Sequence, residues 1–303
     1  MIELEQKILT LLLQGCSVSD TQKKLKVPDS LFLKCLKNIK QNKNLVAKYF
    51  ADGSVILKKG KPEKTVNLRL HQNSEKLHVL FYSDLHAGNK KEKLELLDSI
   101  YEHATLEDIH ILLNTGDMIE NIYCLPPSKL KQKTIEGQIR HLINHFPYSP
   151  SITNFILYGN HDYKALIDHN IDVAKIIERL RPDLISLGYG EANISLGNDF
   201  LTLQHNLHNH KMSIPEDTSI IFRGHSHKMK IDNRKRVPII FVPALSGAIP
   251  ESYQVEPLQG FLDVTFTFTE EGYLDKVFIN QYNTTSKKQL ASECVLTLKK
   301  TMI

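Results

Sequence analysis

Apolar positions in the first 60 residues recur at helical spacing and then change to short runs. The pattern predicts a helix over residues 2–14, a short second helix and a longer third helix. In the third helix the apolar side chains share one face, and the other face carries three lysines, Lys34, Lys37 and Lys40. Two predicted strands, 45–50 and 54–57, flank Asp52-Gly53, which is a strong hairpin signal.

Three helices followed by a hairpin resemble a winged helix-turn-helix module. Such a module places its third helix in the DNA major groove and a basic wing on the backbone. We therefore expect residues 1–65 to form a small winged-helix-like domain that binds DNA or RNA. A protein-docking or dimerisation unit, with the chain as a homodimer, stays open as an alternative.

From residue 77 onwards, apolar runs of strand length alternate with helical stretches. The strands are predicted at 78–82, 109–113 and 152–157, and the helices between them at 91–101 and 129–146. After residue 190, short strands dominate. This alternation indicates an α/β domain over residues 66–303. Residues 284–303 are left open as a final helix or a tail.

The composition is that of a soluble globular protein. The chain has 303 residues, of which 41% are hydrophobic and 24% are charged. No apolar stretch approaches the ~18 residues that a membrane-spanning helix requires. The four cysteines are scattered and form no C-x-x-C pair, so we expect reduced thiols and a cytoplasmic location.

The charge is unevenly distributed along the chain. Residues 1–70 contain 14 Lys and Arg against 6 Asp and Glu, whereas the remainder contains 24 against 28. A basic first quarter on an acidic body suggests two modules with different partners. A polyanion such as nucleic acid is the natural partner of the basic module.

Polar, metal-capable residues follow five of the predicted strands. The clusters are Asp84-Leu85-His86, Gly116-Asp117-Met118-Ile119-Glu120-Asn121, Gly159-Asn160-His161-Asp162, His205-Asn206 and Gly224-His225-Ser226-His227. In open α/β sheets the carboxyl ends of the strands meet at one edge, where ligands bind, so these residues can converge. A mixed carboxylate, amide and imidazole set suits Mn, Fe, Zn or Ni.

Together the five clusters resemble the signature of the calcineurin-like metallophosphoesterases. The resemblance spans residues 77–283. It implies an α/β fold, a four-layer α/β/β/α sandwich, preceded here by the small winged-helix-like domain. It also implies two divalent metal ions at the strand ends, with manganese preferred over Fe, Zn or Ni.

The resemblance assigns a role to each motif residue. Asp84, His86 and His227 would bind the first metal, and Asp117 would bridge both metals. The second metal would be held by Asn160, His205 and His225. His161 would contact the substrate phosphate and protonate the leaving oxygen, and Asp162 would orient His161.

Two positions depart from the usual family pattern. Asn206 stands where most members have Gly after the histidine, and His208 and His210 lie close by. We prefer His205 as the ligand because it directly ends a predicted strand. Glu120 stands where many members carry Asp, at a position that usually lies outside the ligand set.

The sequence therefore predicts a metal-dependent phosphoric ester hydrolase. The favoured activity is that of a phosphodiesterase or nuclease on nucleic acid or nucleotides, by attack of a metal-generated hydroxide. The alternative is a phosphatase of small phosphomonoesters or phosphoproteins, whose N-terminal module serves dimerisation or regulation.

Overall fold

The computed structural model describes most of the chain. The described residues are 2–42, 45–59, 66–69, 75–122, 125–207, 212–233, 236–248, 258–284 and 289–298. Their helices are α1 (Ile2–Leu13), α2 (Val18–Leu25), α3 (Asp29–Asn42), α4 (Leu96–Leu106), α5 (Ile135–His145), α6 (Asn160–His169) and α7 (Val173–Leu180). None of these helices is both long and apolar enough to cross a membrane.

The strands of the described residues form two sheets. In chain order the strands are β1 (Leu45–Phe50), β2 (Val55–Lys59), β3 (Val66–Arg69), β4 (Lys76–Tyr82), β5 (Ile111–Thr115), β6 (Thr153–Tyr158), β7 (Leu184–Tyr189), β8 (Glu191–Leu196), β9 (Asp199–Gln204), β10 (Thr218–Arg223), β11 (Lys230–Asp232), β12 (Ile239–Phe241), β13 (Gly260–Phe268), β14 (Leu274–Asn283) and β15 (Gln289–Thr297). An eight-stranded sheet has the order β11-β12-β10-β9-β8-β3-β1-β2, and a seven-stranded sheet has the order β15-β14-β13-β4-β5-β6-β7.

Two apolar cores hold the layers together. One lies between the seven-stranded sheet and helices α4 to α7, where Leu80 and Tyr82 of β4 meet Ile100 of α4. The other lies between the sheets, where Phe81 stacks on Phe222. Alternation along β4 therefore sends neighbouring side chains into different cores, because successive strand residues point to opposite faces.

The mixed α/β fold with two stacked sheets is confirmed. On the outer face of the eight-stranded sheet, a small apolar cluster of Ile221, Val237 and Ile239 packs against Ile214 and Phe241.

The N-terminal segment forms the predicted three helices and hairpin. Its own core contains Ile8 of α1, Phe32 of α3 and Leu57 of β2, all buried. The hairpin is not a free wing, because β3 pairs in parallel with both β1 and β8 and so joins it to the larger sheet. The division at 65/66 stays a prediction, and residues 60–65 lie outside the described residues.

The lysines of α3 do not share one exposed face. Lys34 is exposed and Lys37 is half-buried, whereas the Lys40 ammonium donates a hydrogen bond of 2.7 Å to the carbonyl oxygen of Pro182. Burial lowers the pKa of Lys40. The last turn of α3 thus packs against the segment before β7, and Lys40 is not available to a ligand in this arrangement.

Several elements were not expected from the pattern. Strand β7 and helices α6 and α7 fall between residues 160 and 189, where the sequence analysis places no element. Within 284–303, residues Gln289–Thr297 form strand β15 rather than a helix.

Candidate metal centre

The carboxyl ends of strands from both sheets meet at one site. Asp84 follows β4, Asp117 follows β5, and Asn160 follows β6 in the seven-stranded sheet. His205 and His225 follow β9 and β10 in the facing sheet. Most of the predicted site side chains are buried, so they converge in the interior, between the two sheets.

The backbone at this site has an unusual conformation. A positive φ occurs at five of the predicted metal ligands, Asp84, His86, Asp117, His225 and His227. Asp, Asn and His tolerate this left-handed region better than other non-glycine residues. Each such residue costs of the order of 1–3 kcal/mol unless local contacts offset it, and such strain is concentrated at functional sites.

A first donor group consists of Asp84, His86 and His227. The Nε2 atom of His227 lies 3.1 Å from Oδ1 of Asp84 and 3.2 Å from Nε2 of His86. His86 Nε2 also lies 3.9 Å from Oδ2 of Asp117. The donor atoms therefore surround a single point.

A second donor group consists of Asp117, His205 and His225. His205 Nε2 lies 3.1 Å from Oδ2 of Asp117 and 3.1 Å from Oδ1 of Asn160. The Asn160 oxygen is also 2.9 Å from Nδ1 of His225. Asp117 Oδ2 thus lies between the two groups, and all seven predicted ligands are brought together.

The orientation of the imidazoles fits a cation. Nδ1 of His227 lies 2.6 Å from the carbonyl oxygen of Ala248, and Nδ1 of His205 lies 2.7 Å from that of Thr115. A carbonyl oxygen only accepts, so each neutral ring carries its proton on Nδ1 and directs the Nε2 lone pair into the cluster. Among the described residues, the buried Oδ1 of Asp84 has no hydrogen bond. A cation bound in the cluster would be coordinated by the Nε2 lone pairs of His205 and His227 and by Oδ1 of Asp84.

The electrostatics of the cluster also favours positive charge. Burial alone would lower the pKa of His205, but the Asp117 carboxylate outweighs it and raises this pKa to about 9. The pKa of His86 is likewise raised despite burial, because Glu120, Asp84 and Asp117 surround the ring. Burial would raise the pKa of Asp84, yet the nearby histidines hold it well below its ordinary value. The residues present therefore fit a divalent cation.

His161 is placed at the border of the cluster. It lies in the first turn of α6, its side chain is 17% exposed, and its Nε2 is 3.9 Å from Oδ2 of Asp117. Its Nδ1 is 2.5 Å from the backbone oxygen of Glu120. The ring is therefore held through Nδ1, with Nε2 towards the cluster.

The predicted orienting role of Asp162 is corrected. The buried Asp162 carboxylate accepts hydrogen bonds from the backbone nitrogens of Met118, Ile119 and Gly159, at 2.9 to 3.1 Å. These bonds fix the loop that carries Asp117. The group that meets His161 Nδ1 is Glu120, through its backbone oxygen and, at 3.5 Å, through Oε1.

Glu120 has a larger part in the site than its position in the motif indicated. Its Oε2 lies 3.0 Å from Nδ1 of His86 and accepts a hydrogen bond of 2.9 Å from Asn89. One buried carboxylate therefore contacts both a predicted ligand and the predicted acid, His161. The sequence feature that pointed to this role is the position of Glu120, three residues after Asp117 in the same loop at the end of β5. His208 and His210, the alternatives to His205, lie outside the described residues.

Comparison with solved structures finds proteins of low sequence identity to this chain. Vps29 from Cryptosporidium parvum is 17% identical, with 73% of this chain and 97% of that chain covered and a TM-score of 0.43. Vps29 from Entamoeba histolytica complexed with zinc is 11% identical, with coverages of 73% and 99% and a TM-score of 0.42. An archaeal phosphodiesterase is 12% identical, with coverages of 72% and 99% and a TM-score of 0.41.

Comparison with curated proteins finds no match. The family model of the calcineurin-like phosphoesterases, however, matches residues 77–229, which is just over half of the chain. The matched region contains every residue of the two donor groups, together with His161 and Glu120. The chain therefore belongs to the calcineurin-like phosphoesterases, a family of metal-dependent hydrolases of phosphate esters.

Proposed function

We propose that the protein is a dinuclear-metal-dependent phosphodiesterase that acts on nucleic acid or nucleotides. The observation that carries the proposal is the pair of donor groups with Oδ2 of Asp117 between them, 3.9 Å from Nε2 of His86 and 3.1 Å from Nε2 of His205. One ion would be held by Asp84, His86, Asp117 and His227, and the other by Asp117, Asn160, His205 and His225. Manganese is the preferred metal, with Fe, Zn or Ni as alternatives, because the donors mix oxygen and imidazole nitrogen.

Bound ions would supply Lewis-acid stabilisation of the phosphate charge and a hydroxide nucleophile near neutral pH. The protein's own contribution is to supply and direct the proton. Nε2 of His161 donates it to the leaving oxygen, while the Glu120 backbone oxygen holds Nδ1. A positioned acid of this kind contributes about 10²–10⁴-fold. The partial exposure of His161 leaves it accessible to an ester that enters from solvent.

The assay uses metal-stripped protein with matched chromogenic phosphate mono- and diesters, with and without added Mn²⁺. We expect diester hydrolysis that needs the metal and falls about 10²–10⁴-fold in His161→Ala. His145→Ala is the matched control, because His145 lies in α5 and its Nδ1 bonds only locally to the carbonyl of His141. Hydrolysis of the monoester alone would contradict the phosphodiesterase assignment.

The choice of nucleic acid as substrate rests on the basic N-terminal segment. Lys34 and Lys37 leave basic charge on α3, although Lys40 is withdrawn against Pro182. That buried contact supports the second candidate, a phosphatase of small phosphomonoesters or phosphoproteins whose N-terminal module serves dimerisation or regulation.

The two candidates differ in their response to charge reversal on α3. For the first, Lys34→Glu with Lys37→Glu should weaken DNA or RNA binding and reduce its salt dependence by about one counterion per lost contact. Hydrolysis of the small chromogenic ester should be unchanged. Lys175→Glu, at an exposed position of α7, is the control. Unchanged nucleic-acid binding in the double variant would support the second candidate.

A further inference from the structure

Three of the four sheet edges in the described chain are protected. Strand β11 has only three residues, and β2 ends in two exposed lysines. Strand β7 lies beside the N-terminal helices, since Ile185 and Leu36 line one cavity. Short length, lysines and covering elements are the usual means by which proteins prevent edge strands from pairing with another chain.

Within the described residues, strand β15 has none of these protections. It is nine residues long, contains no Lys or Pro, and carries a single charge at Glu293. It ends the seven-stranded sheet, with β14 as its one partner among the described strands. Its register shift lies at its beginning, so residues 292–297 pair regularly with β14.

Both faces of this regular segment are apolar at its centre. Val295 is 55% exposed and lies opposite Phe278, which is itself 39% exposed. On the other face, Cys294 and Leu296 pack against the core between the sheets. A backbone edge that no described strand pairs with therefore coincides with an exposed apolar pair.

We propose that β15 pairs antiparallel with β15 of a second copy, around a twofold axis at Val295. In that register Val295 lies opposite its equivalent, and Cys294 lies opposite Leu296 on the other face. Phe278 then extends an apolar row on each side of the axis. A twofold axis requires such a self-complementary surface.

The neighbouring registers are less favourable. Centring on Glu293 places two carboxylates opposite each other, which destabilises a strand pair. Centring on Cys294 places Val295 opposite Glu293 and Leu296 opposite Ser292, so apolar groups meet polar ones. Centring on Leu296 runs the pairing into residues 299 and 300, beyond the bounds of β15.

The dimer is measured by sedimentation velocity over a range of concentrations. Because one added strand pair buries less surface than a standard interface, we expect weak, concentration-dependent association. Val295→Lys places two ammonium groups at the axis and should weaken association at least roughly tenfold. Ile167→Lys is the control, because Ile167 is 57% exposed on α6. Circular dichroism confirms that both variants fold.

Oxidative crosslinking tests the register. Directly opposed strand residues have Cα atoms about 4.5–5.5 Å apart, within the range of a disulfide. In a Cys294→Ser background, Val295→Cys should crosslink rapidly and Glu293→Cys slowly. The reverse order would overturn the register. A wild-type chain that stays monomeric at all concentrations, or equal dimers in Val295→Lys, would overturn the proposal and leave the edge to a different partner.

Discussion

The close approach of loops at the metal centre can be tested with one methyl group. Gly159 precedes Asn160 and has φ −93° and ψ −164°, a conformation that alanine adopts without strain. A Cβ atom there would lie 2.7 Å from the Asp117 backbone nitrogen and 2.7 Å from Cδ2 of His205, and nearer still to Oδ1 of Asp117. Gly159→Ala therefore acts through steric contact alone.

The size of the effect follows from these distances. Since real Cβ atoms essentially never approach closer than 3.0 Å, the Asp117 backbone must move by about 0.3 Å and its carboxylate by more. A misplacement of 1 Å costs about 10²-fold in rate. We expect Gly159→Ala to lower kcat/KM roughly 10- to 100-fold, and to destabilise the fold by about 1–3 kcal/mol through overpacking.

The assay combines diester kcat/KM, metal content and thermal unfolding of the same samples. Gly188→Ala is the matched control. Gly188 has φ +86°, and a Cβ atom added there would have open space around it. That variant should lose about 1–2 kcal/mol of stability from backbone strain and keep its activity. Wild-type activity and metal content in Gly159→Ala would refute the need for close approach.

Three further predictions concern buried carboxylates. Asp117→Ala should remove more activity and more bound metal than His161→Ala, because the Asp117 carboxylate lies between the two donor groups; equal metal content in wild type and Asp117→Ala would contradict this. Glu120→Gln should lower metal affinity or activity about 10- to 100-fold in metal titrations, since it removes the charge beside His86. Asp263 accepts hydrogen bonds from two histidines, which hold its pKa below the ordinary value although burial opposes this. Its stabilisation is therefore present above pH ~4 and lost as the pH falls through the lowered pKa. Asp263→Asn should reduce the free energy of unfolding by about 1–3 kcal/mol at pH 7 in urea titrations, and this difference from wild type should shrink as the pH falls through the lowered pKa of Asp263.

Strand positions were largely predictable from the sequence because their apolar runs are buried on both faces. The predicted strand 78–82 is observed as Lys76–Tyr82, and 152–157 as Thr153–Tyr158. Strand β7 was not predicted, because Leu184–Tyr189 includes Ser186 and Gly188. Its last four residues, 186–189, are only half-buried. The position of β7 is set by its pairing with β6, and a pairing between separate segments leaves no signal in the local sequence pattern.

The role of Asp162 shows the limit of motif transfer. Adjacent residues in a helical turn point in different directions, and Asp162 faces the loop backbone at Met118 and Ile119. His161 instead meets Glu120, which is 41 residues away in the chain. Only the juxtaposition of β5 and β6 determines this pairing.

The sequence by itself determined the N-terminal helices and hairpin, strands such as β4 and β6, and the ligand types, because periodicity and strand-end motifs are local properties of the chain. The tertiary structure alone decided which side chains meet and which surfaces stay open. Lys40 is withdrawn against Pro182, and β15 ends its sheet among the described strands, because each outcome depends on segments far apart in sequence. Contacts of this kind form when packed layers bring distant residues together, so no local pattern encodes them.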